Sequence, residues 1–165
     1  MIKCKTIMLL VTYGCNLNCT YCYEPKKNQK RMTLEGAKQY VSGLVHNLAP
    51  SYDEFEVQLM GGEPMMAFPL IKDLSEWIWQ ETWPLPIKQV FAPTNGTILN
   101  TEMRDWLTKH KEKICLGLSF DGTRLMQNFN RSQSSARVDL AFFAKNWPDQ
   151  SVKMTVFSSL KVSSS

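Results

Sequence analysis

Short apolar runs alternate with helical stretches along this chain, and nearly every run breaks off at a turn rich in glycine or small polar residues. "CKTIMLLVTYG" (4–14) is the first such run. From Thr33, a ready N-cap, Leu34, Ala37, Val41, Leu44, Val45 and Leu48 recur at helical spacing, with Pro50 just past their end. In "DEFEVQLMGGEP" (53–64), Phe55, Val57 and Leu59 alternate with polar residues before a glycine pair. Pro69 can open a second helix, which Pro84 must stop. "IKQVFAPTNG" (87–96) and "ICLGLSFDG" (114–122) repeat the strand-and-turn pattern around a helix from Thr101 to about Lys111. A polar loop, a helix over 135–146 and a strand over 151–159 complete the series. Five strands alternating with four helices predict a parallel sheet of βαβ units. Because such crossovers are right-handed, the sheet either curls into a barrel or winds into an open α/β sheet.

A chain of 165 residues, 44% apolar and 21% charged, can bury one substantial core. No apolar run reaches the roughly 18 to 20 residues of a membrane span. Lys3 and Lys5 precede "TIMLLV", but that stretch is short and leads straight into the next motif, so it reads as a strand and not an export signal. A cytoplasmic protein is the resulting expectation, and there clustered thiols serve metal or redox chemistry more than disulfides. The net charge of +4 is mild. "KKNQKR" (26–31) reads as a solvated loop and "KHKEK" (109–113) as a helix end, so neither argues for a nucleic-acid partner.

In parallel α/β folds, the loops after the strands share one rim, where ligands bind. Here they carry "GCNLNCTYCYE", "GGEP", "TNG" and "SFDG". Cys15, Cys19 and Cys22 fall in the first, so one irregular loop can turn three thiolates inward. Structural zinc takes four ligands, commonly as two separated pairs. The available fourth ligands are Cys4 and Cys115, both early in predicted strands, and His46, in a predicted helix. A cubane iron–sulfur cluster held by three cysteines would keep one iron open for chemistry.

"CNLNCTYCY" followed by "GGEP", "TNG", "SFDG" and Arg131 resembles the radical S-adenosylmethionine (radical SAM) superfamily, and within it the peptide- and protein-modifying branch that includes the anaerobic sulfatase-maturating enzymes. The resemblance implies an α/β fold, a partial parallel (β/α) barrel with about five βα units. It also implies that Cys15, Cys19 and Cys22 hold a [4Fe-4S] cluster whose open iron is chelated by S-adenosyl-L-methionine. Reduction of that pair gives a 5′-deoxyadenosyl radical that abstracts hydrogen from a peptide or protein substrate, with a flavodoxin or ferredoxin-type electron donor. By the same resemblance, Gly61 and Gly62 let backbone approach the ligand, their carbonyls and Glu63 meet its amino group, and Pro64 stiffens the turn. Tyr21 lies near the adenine, Ser119 and Arg131 pair with the carboxylate, and Asn95 stands in the pocket.

The match departs in places. Relatives carry a His-Asp pair in the loop after "DG", then a glycine-rich turn. This chain has Gln127 and Asn128, then "SQSS" (132–135), which predicts a loop of similar shape without acid–base chemistry. Family barrels have a sixth βα unit and, in this branch, a C-terminal region with auxiliary clusters. The expectation is therefore a core domain over 1–157 with a polar tail over 158–165, the front of a longer or partner-completed enzyme. Trp79 and Trp83, opposite the Leu70–Leu74–Trp77–Ile78 stripe, are expected to mark a surface meant to be covered. A non-catalytic [4Fe-4S] or zinc-binding module is the alternative.

Overall fold

The computed structural model describes residues 2–24 and 27–155. Four strands, β1 (Cys4–Thr12), β2 (Glu54–Gly61), β3 (Ile87–Thr94) and β4 (Ile114–Leu118), form one sheet in the order β1-β2-β3-β4. Every neighbouring pair is parallel. Winding that always advances to the next neighbour is barrel-type winding; a doubly wound sheet reverses direction at a switch point. The sequence-level choice between barrel and open sheet is resolved toward a partial barrel.

The helices cover one face. Helix α1 (Leu34–Leu48) starts where Thr33 accepts the Gly36 N–H, and it buries Ala37, Val41 and Val45. Helix α2 (Phe68–Gln80) follows a single 3-10 turn, Pro64–Ala67, and buries Ile71, Leu74 and Ile78. Helix α3 (Thr101–Lys109) is capped by Asn100 and buries Trp106 and Leu107. Beneath them lie Ile7, Leu9 and Val11 of β1, Phe55, Val57 and Leu59 of β2, and their counterparts on β3 and β4, all almost fully buried. The alternate residues, among them Thr6, Met8 and Leu10, face the open side of the sheet.

Three expectations need correction. The "polar loop" after β4 holds a helix, α4 (Arg124–Asn130), capped by Thr123. The helix expected over 135–146 is instead a 3-10 turn, Ser135–Arg137, followed by α5 (Leu140–Asn146), which Asp139 caps while paired to Arg104 at 2.8 Å. Trp79 and Trp83 are not waiting for a cover. The segment leaving α2 folds back, so that the Trp83 indole donates to the Ile78 carbonyl (2.8 Å) and packs edge-on against Phe55 and Trp77. Trp79 stacks on Trp106 and His110, brought to it by α3. Of the expected fifth strand, Lys153 forms an isolated parallel bridge to Ser119, and residues 156–159 lie outside the described residues, as does the 158–165 tail. No described helix is long and apolar enough to cross a membrane.

A Cβ added at Gly43, mid-way along α1, would meet nothing within 4 Å. Gly43→Ala is expected to stabilise the fold by about 0.5–1 kcal/mol through helix propensity. Phe55→Ala, at a fully buried site, is expected to cost about 3–5 kcal/mol. Urea unfolding followed by tryptophan fluorescence measures both.

Candidate functional site

The register aligns the strand ends: Thr12 pairs with Gly61, and Thr94 with Leu118. The loops that follow therefore meet on one rim. At its centre, the turn after β2 lies directly against the exit of β1. Gly62 N–H donates to the Thr12 carbonyl (3.0 Å) and Glu63 N–H to the Gly14 carbonyl (2.8 Å). A Cβ on Gly61 would stand 2.6 Å from the Thr12 carbonyl oxygen, and one on Gly62 would stand 2.5 Å from that of Gly14. The chain's own backbone thus leaves no room for a side chain at either position, the end of β1 at Gly61 and the start of the cysteine loop at Gly62.

Glu63 is 1% exposed, and its carboxylate is occupied by the protein. Oε1 accepts from Met65 N–H (3.0 Å) and the Thr94 hydroxyl (2.8 Å), and Oε2 from Asn95 N–H (2.7 Å). Burial pushes this carboxyl above its ordinary value, against the pull of those three donors. Pro64 opens the 3-10 turn that Glu63 caps. Asn95 is also committed: its Nδ2 donates to Asn16 Oδ1 (2.9 Å), and its Oδ1 accepts from Thr97 N–H and hydroxyl. Asn16 returns a bond to the Thr97 hydroxyl (2.8 Å), so the first half of the cysteine loop is fastened to the end of β3.

Cys15, Cys19 and Cys22 are free, half-buried thiols lining one cavity of about 270 Å³. Tyr21, Gly61, Gly62, Glu63, Pro64, Asn95, Ser119 and Arg131 line the same cavity, so every residue predicted for the site is brought together. Cys15 Sγ accepts from Leu17 N–H at 3.5 Å. Burial raises the Cys15 and Cys19 thiols; Leu17 N–H and Lys27 oppose it at the first, and Arg131 at the second. The three alternative fourth ligands lie elsewhere. Cys4 sits at the opposite end of β1, Cys115 donates to Gln150 Oε1 (3.2 Å), and His46 Nδ1 bonds to the Ser42 carbonyl on α1.

Opposite the thiols, Asp121 is fully buried and anchors two of the predicted residues. The Tyr21 hydroxyl donates to both its oxygens (3.0 and 2.8 Å). Burial, reinforced by that carboxylate, pushes the Tyr21 phenol up to about 12. Arg131 is 8% exposed and places its guanidinium over the Tyr21 ring, 5.3 Å from the centroid. Its Nε stands 3.1 Å from Asp121 Oδ1 without an aligned hydrogen bond, so the contact is chiefly electrostatic. Gln127 is wholly buried. Its Oε1 accepts from Asp121 N–H (2.9 Å) and its Nε2 donates to Ser134 (2.8 Å), the shape-keeping part expected of it.

Asn16, Lys27, Thr94, Asp121 and Lys153 belong to this rim and escaped the sequence reading. Lys27 bonds to the Leu17 carbonyl, and Lys153 reaches the cavity from beside Ser119. Adjacency alone could have flagged Thr94 and Asp121, which sit inside "TNG" and "SFDG". Among the described residues, no three His, Cys, Asp or Glu side chains stand close enough to grip a single metal ion. A four-iron cubane asks less of the loop, since it can take each thiolate on a separate iron. Three free thiols turned into one cationic, glycine-walled cavity fit such a cluster.

Residues 4–138 match the family model described as "4Fe-4S single cluster domain". An uncharacterised protein of Methanocaldococcus jannaschii is 32% identical over 121 residues, which cover 73% of this chain and 40% of that protein. The cysteine-type anaerobic sulfatase-maturating enzyme of Clostridium perfringens is 29% identical over 72% of this chain and 33% of its own. The chain thus spans two fifths or less of the length of these curated relatives. The solved structure of native anSMEcpe with bound AdoMet and Cp18Cys peptide superposes with a TM-score of 0.62 at 23% identity, over 92% of this chain and 41% of that one. By the family match and by these likenesses, the chain belongs to the 4Fe-4S single cluster domain family of the radical SAM superfamily.

Proposed function

We propose that residues 1–157 form the cofactor-binding core of a radical enzyme. Cys15, Cys19 and Cys22 hold a [4Fe-4S] cluster, and the cavity beside them receives S-adenosyl-L-methionine. The observation that carries this reading is the convergence of three free thiols, the glycine turn, Ser119 and Arg131 on one cavity. When bound and reduced, this pair supplies a 5′-deoxyadenosyl radical for hydrogen abstraction. The protein's own work is placement. The carbonyls of Gly61 and Gly62 face the amino group, while Glu63, whose oxygens already hold three donors, fixes the turn that presents them. Arg131 and Ser119 receive the carboxylate, and Arg131 keeps its guanidinium plane on Tyr21, beside which the adenine lies. Asn95 acts through Asn16 by holding the cysteine loop.

A peptide or protein substrate is supported by two likenesses: a relative named for sulfatase maturation, and a structural neighbour that holds a peptide together with AdoMet. One-electron reduction calls for a donor of flavodoxin or ferredoxin type, in keeping with a cytoplasmic setting.

Anaerobic reconstitution with iron and sulfide, then dithionite and S-adenosylmethionine, tests the reading. A cubane EPR signal and release of 5′-deoxyadenosine are expected, and replacing any of Cys15, Cys19 or Cys22 by Ala abolishes both. A cluster without release would favour the non-catalytic module, and tightly held zinc in place of a cluster would sink the proposal. Ser119→Ala removes one hydrogen bond to a carboxylate, about 1.5–3 kcal/mol; the dissociation constant for S-adenosylmethionine should rise about 10- to 150-fold by equilibrium dialysis. Gly62→Ala drives a Cβ into the Gly14 carbonyl. It should cost about 1–3 kcal/mol by overpacking and lower the iron-to-protein ratio after reconstitution.

A further inference from the structure

Ser132 and Gln133 are the non-glycine residues at positive φ among those described, at 53° and 54°. Side chains adopt this left-handed geometry reluctantly, and two in succession persist only where the surroundings over-determine them. Here they do. Gln133 N–H donates to the Asn128 carbonyl (3.1 Å), Ser135 N–H to Asn128 Oδ1 (2.9 Å), and buried Gln127 ties Ser134 to the backbone of Asp121. A strained turn held this firmly points to a task.

Its contacts identify the task. Ser132 Oγ accepts from Asn18 N–H at 2.8 Å. The Asn130 carbonyl accepts from Thr20 N–H at 2.9 Å, and Asn130 Oδ1 from the Thr20 hydroxyl at 3.4 Å. Arg131 covers Tyr21, whose hydroxyl reaches Asp121. Asn18, Thr20 and Tyr21 are the residues flanking Cys19 and leading to Cys22. The loop is thus gripped from two sides, its first half by β3 through Asn16 and its second half by the end of α4.

We propose that α4 and its left-handed turn form a preformed dock that sets Cys19 and Cys22 in place before any metal arrives. Ser132, Asn130 and Asp121 are its positioning residues. The inference rests on the cysteine loop being the cluster loop, and it deepens that reading by assigning the loop's order to the protein rather than to the cluster.

NMR amide exchange on the metal-free protein tests it. Asn18 and Thr20 N–H should be protected at least tenfold over unstructured rates. In Ser132→Ala, protection at Asn18 falls about tenfold while the melting temperature and the sheet amides hold. Ser132→Gly, which suits the backbone but lacks the hydroxyl, behaves likewise. Ser132→Asn, which tolerates positive φ and supplies an acceptor oxygen, restores the protection. In reconstituted protein the first two variants lose iron to a chelator several-fold faster, and the third does not. Unprotected Asn18 and Thr20 in the wild type, or equal exchange and equal iron loss in all variants, would overturn the dock. If the exchange pattern appears but no cluster assembles even in the wild type, the dock stands and the cluster reading falls.

Discussion

The rim is organised by a contact of backbone on backbone. The turn after β2 presses into the exit of β1 so tightly that neither Gly61 nor Gly62 has room for a methyl group, and two N–H···O bonds close the gap. The other rim contacts depend on that approach. Glu63, placed by the turn, enters the interior and there holds the Thr94 hydroxyl and Asn95 N–H at the end of β3. Asn95, so fixed, holds Asn16 of the cysteine loop. One buried carboxylate thereby couples three strand ends. The donors around it offset part of the desolvation that such a group suffers on burial.

The charges divide into two kinds. Glu63 and Asp121 are buried and spent, the first on three donors, the second on Tyr21, Arg131 and Thr155 N–H. Lys27 and Lys153 line the cavity against neutral partners, a carbonyl and an amide oxygen for the first and the face of Phe91 for the second. Three cations, Lys27, Lys153 and Arg131, therefore line the cavity against one carboxylate, Glu63, and the balance facing the thiols is positive. A cavity of that sign suits a thiolate-bound cluster, whose charge and hydrogen bonding set its potential.

What the sequence disclosed follows from how each feature is encoded. Strand β2 was legible because burial on a half-covered sheet imposes a period of two on Phe55, Val57 and Leu59, and the α1 stripe because its helix buries one face. The cysteine loop and "GGEP" were legible from residue type and spacing. Helix α4 was not, because it buries Gln127 and Asn130 while leaving Leu125 81% and Phe129 63% exposed. Its pattern is inside out, and a search for apolar periodicity passes over it. The backbone that abuts the two glycines was not legible either, since a sequence reports that space is needed but not what fills it. The fate of Trp83 depended on a chain reversal after α2 that no local signal announces.

The aim of the cysteines can be traced one step further back, to the sheet. Between Leu10 and Thr12 the β1–β2 register slips, so that two steps along β1 answer one step along β2. Strict alternation ends there, and Val11 and Thr12 are both buried. Without the slip, side chains beyond Leu10 would continue the in-and-out phase of the strand. With it, the phase shifts as the chain leaves the sheet, a way bulges commonly re-aim residues next to sites. Thr12 then turns inward, and its hydroxyl accepts from Gly14 N–H (3.0 Å) while its carbonyl accepts from Gly62. Cys15 is the next residue. The direction of the first thiol is thus settled by strand pairing, of the second and third by α4, and the cavity between them is where the two settings agree.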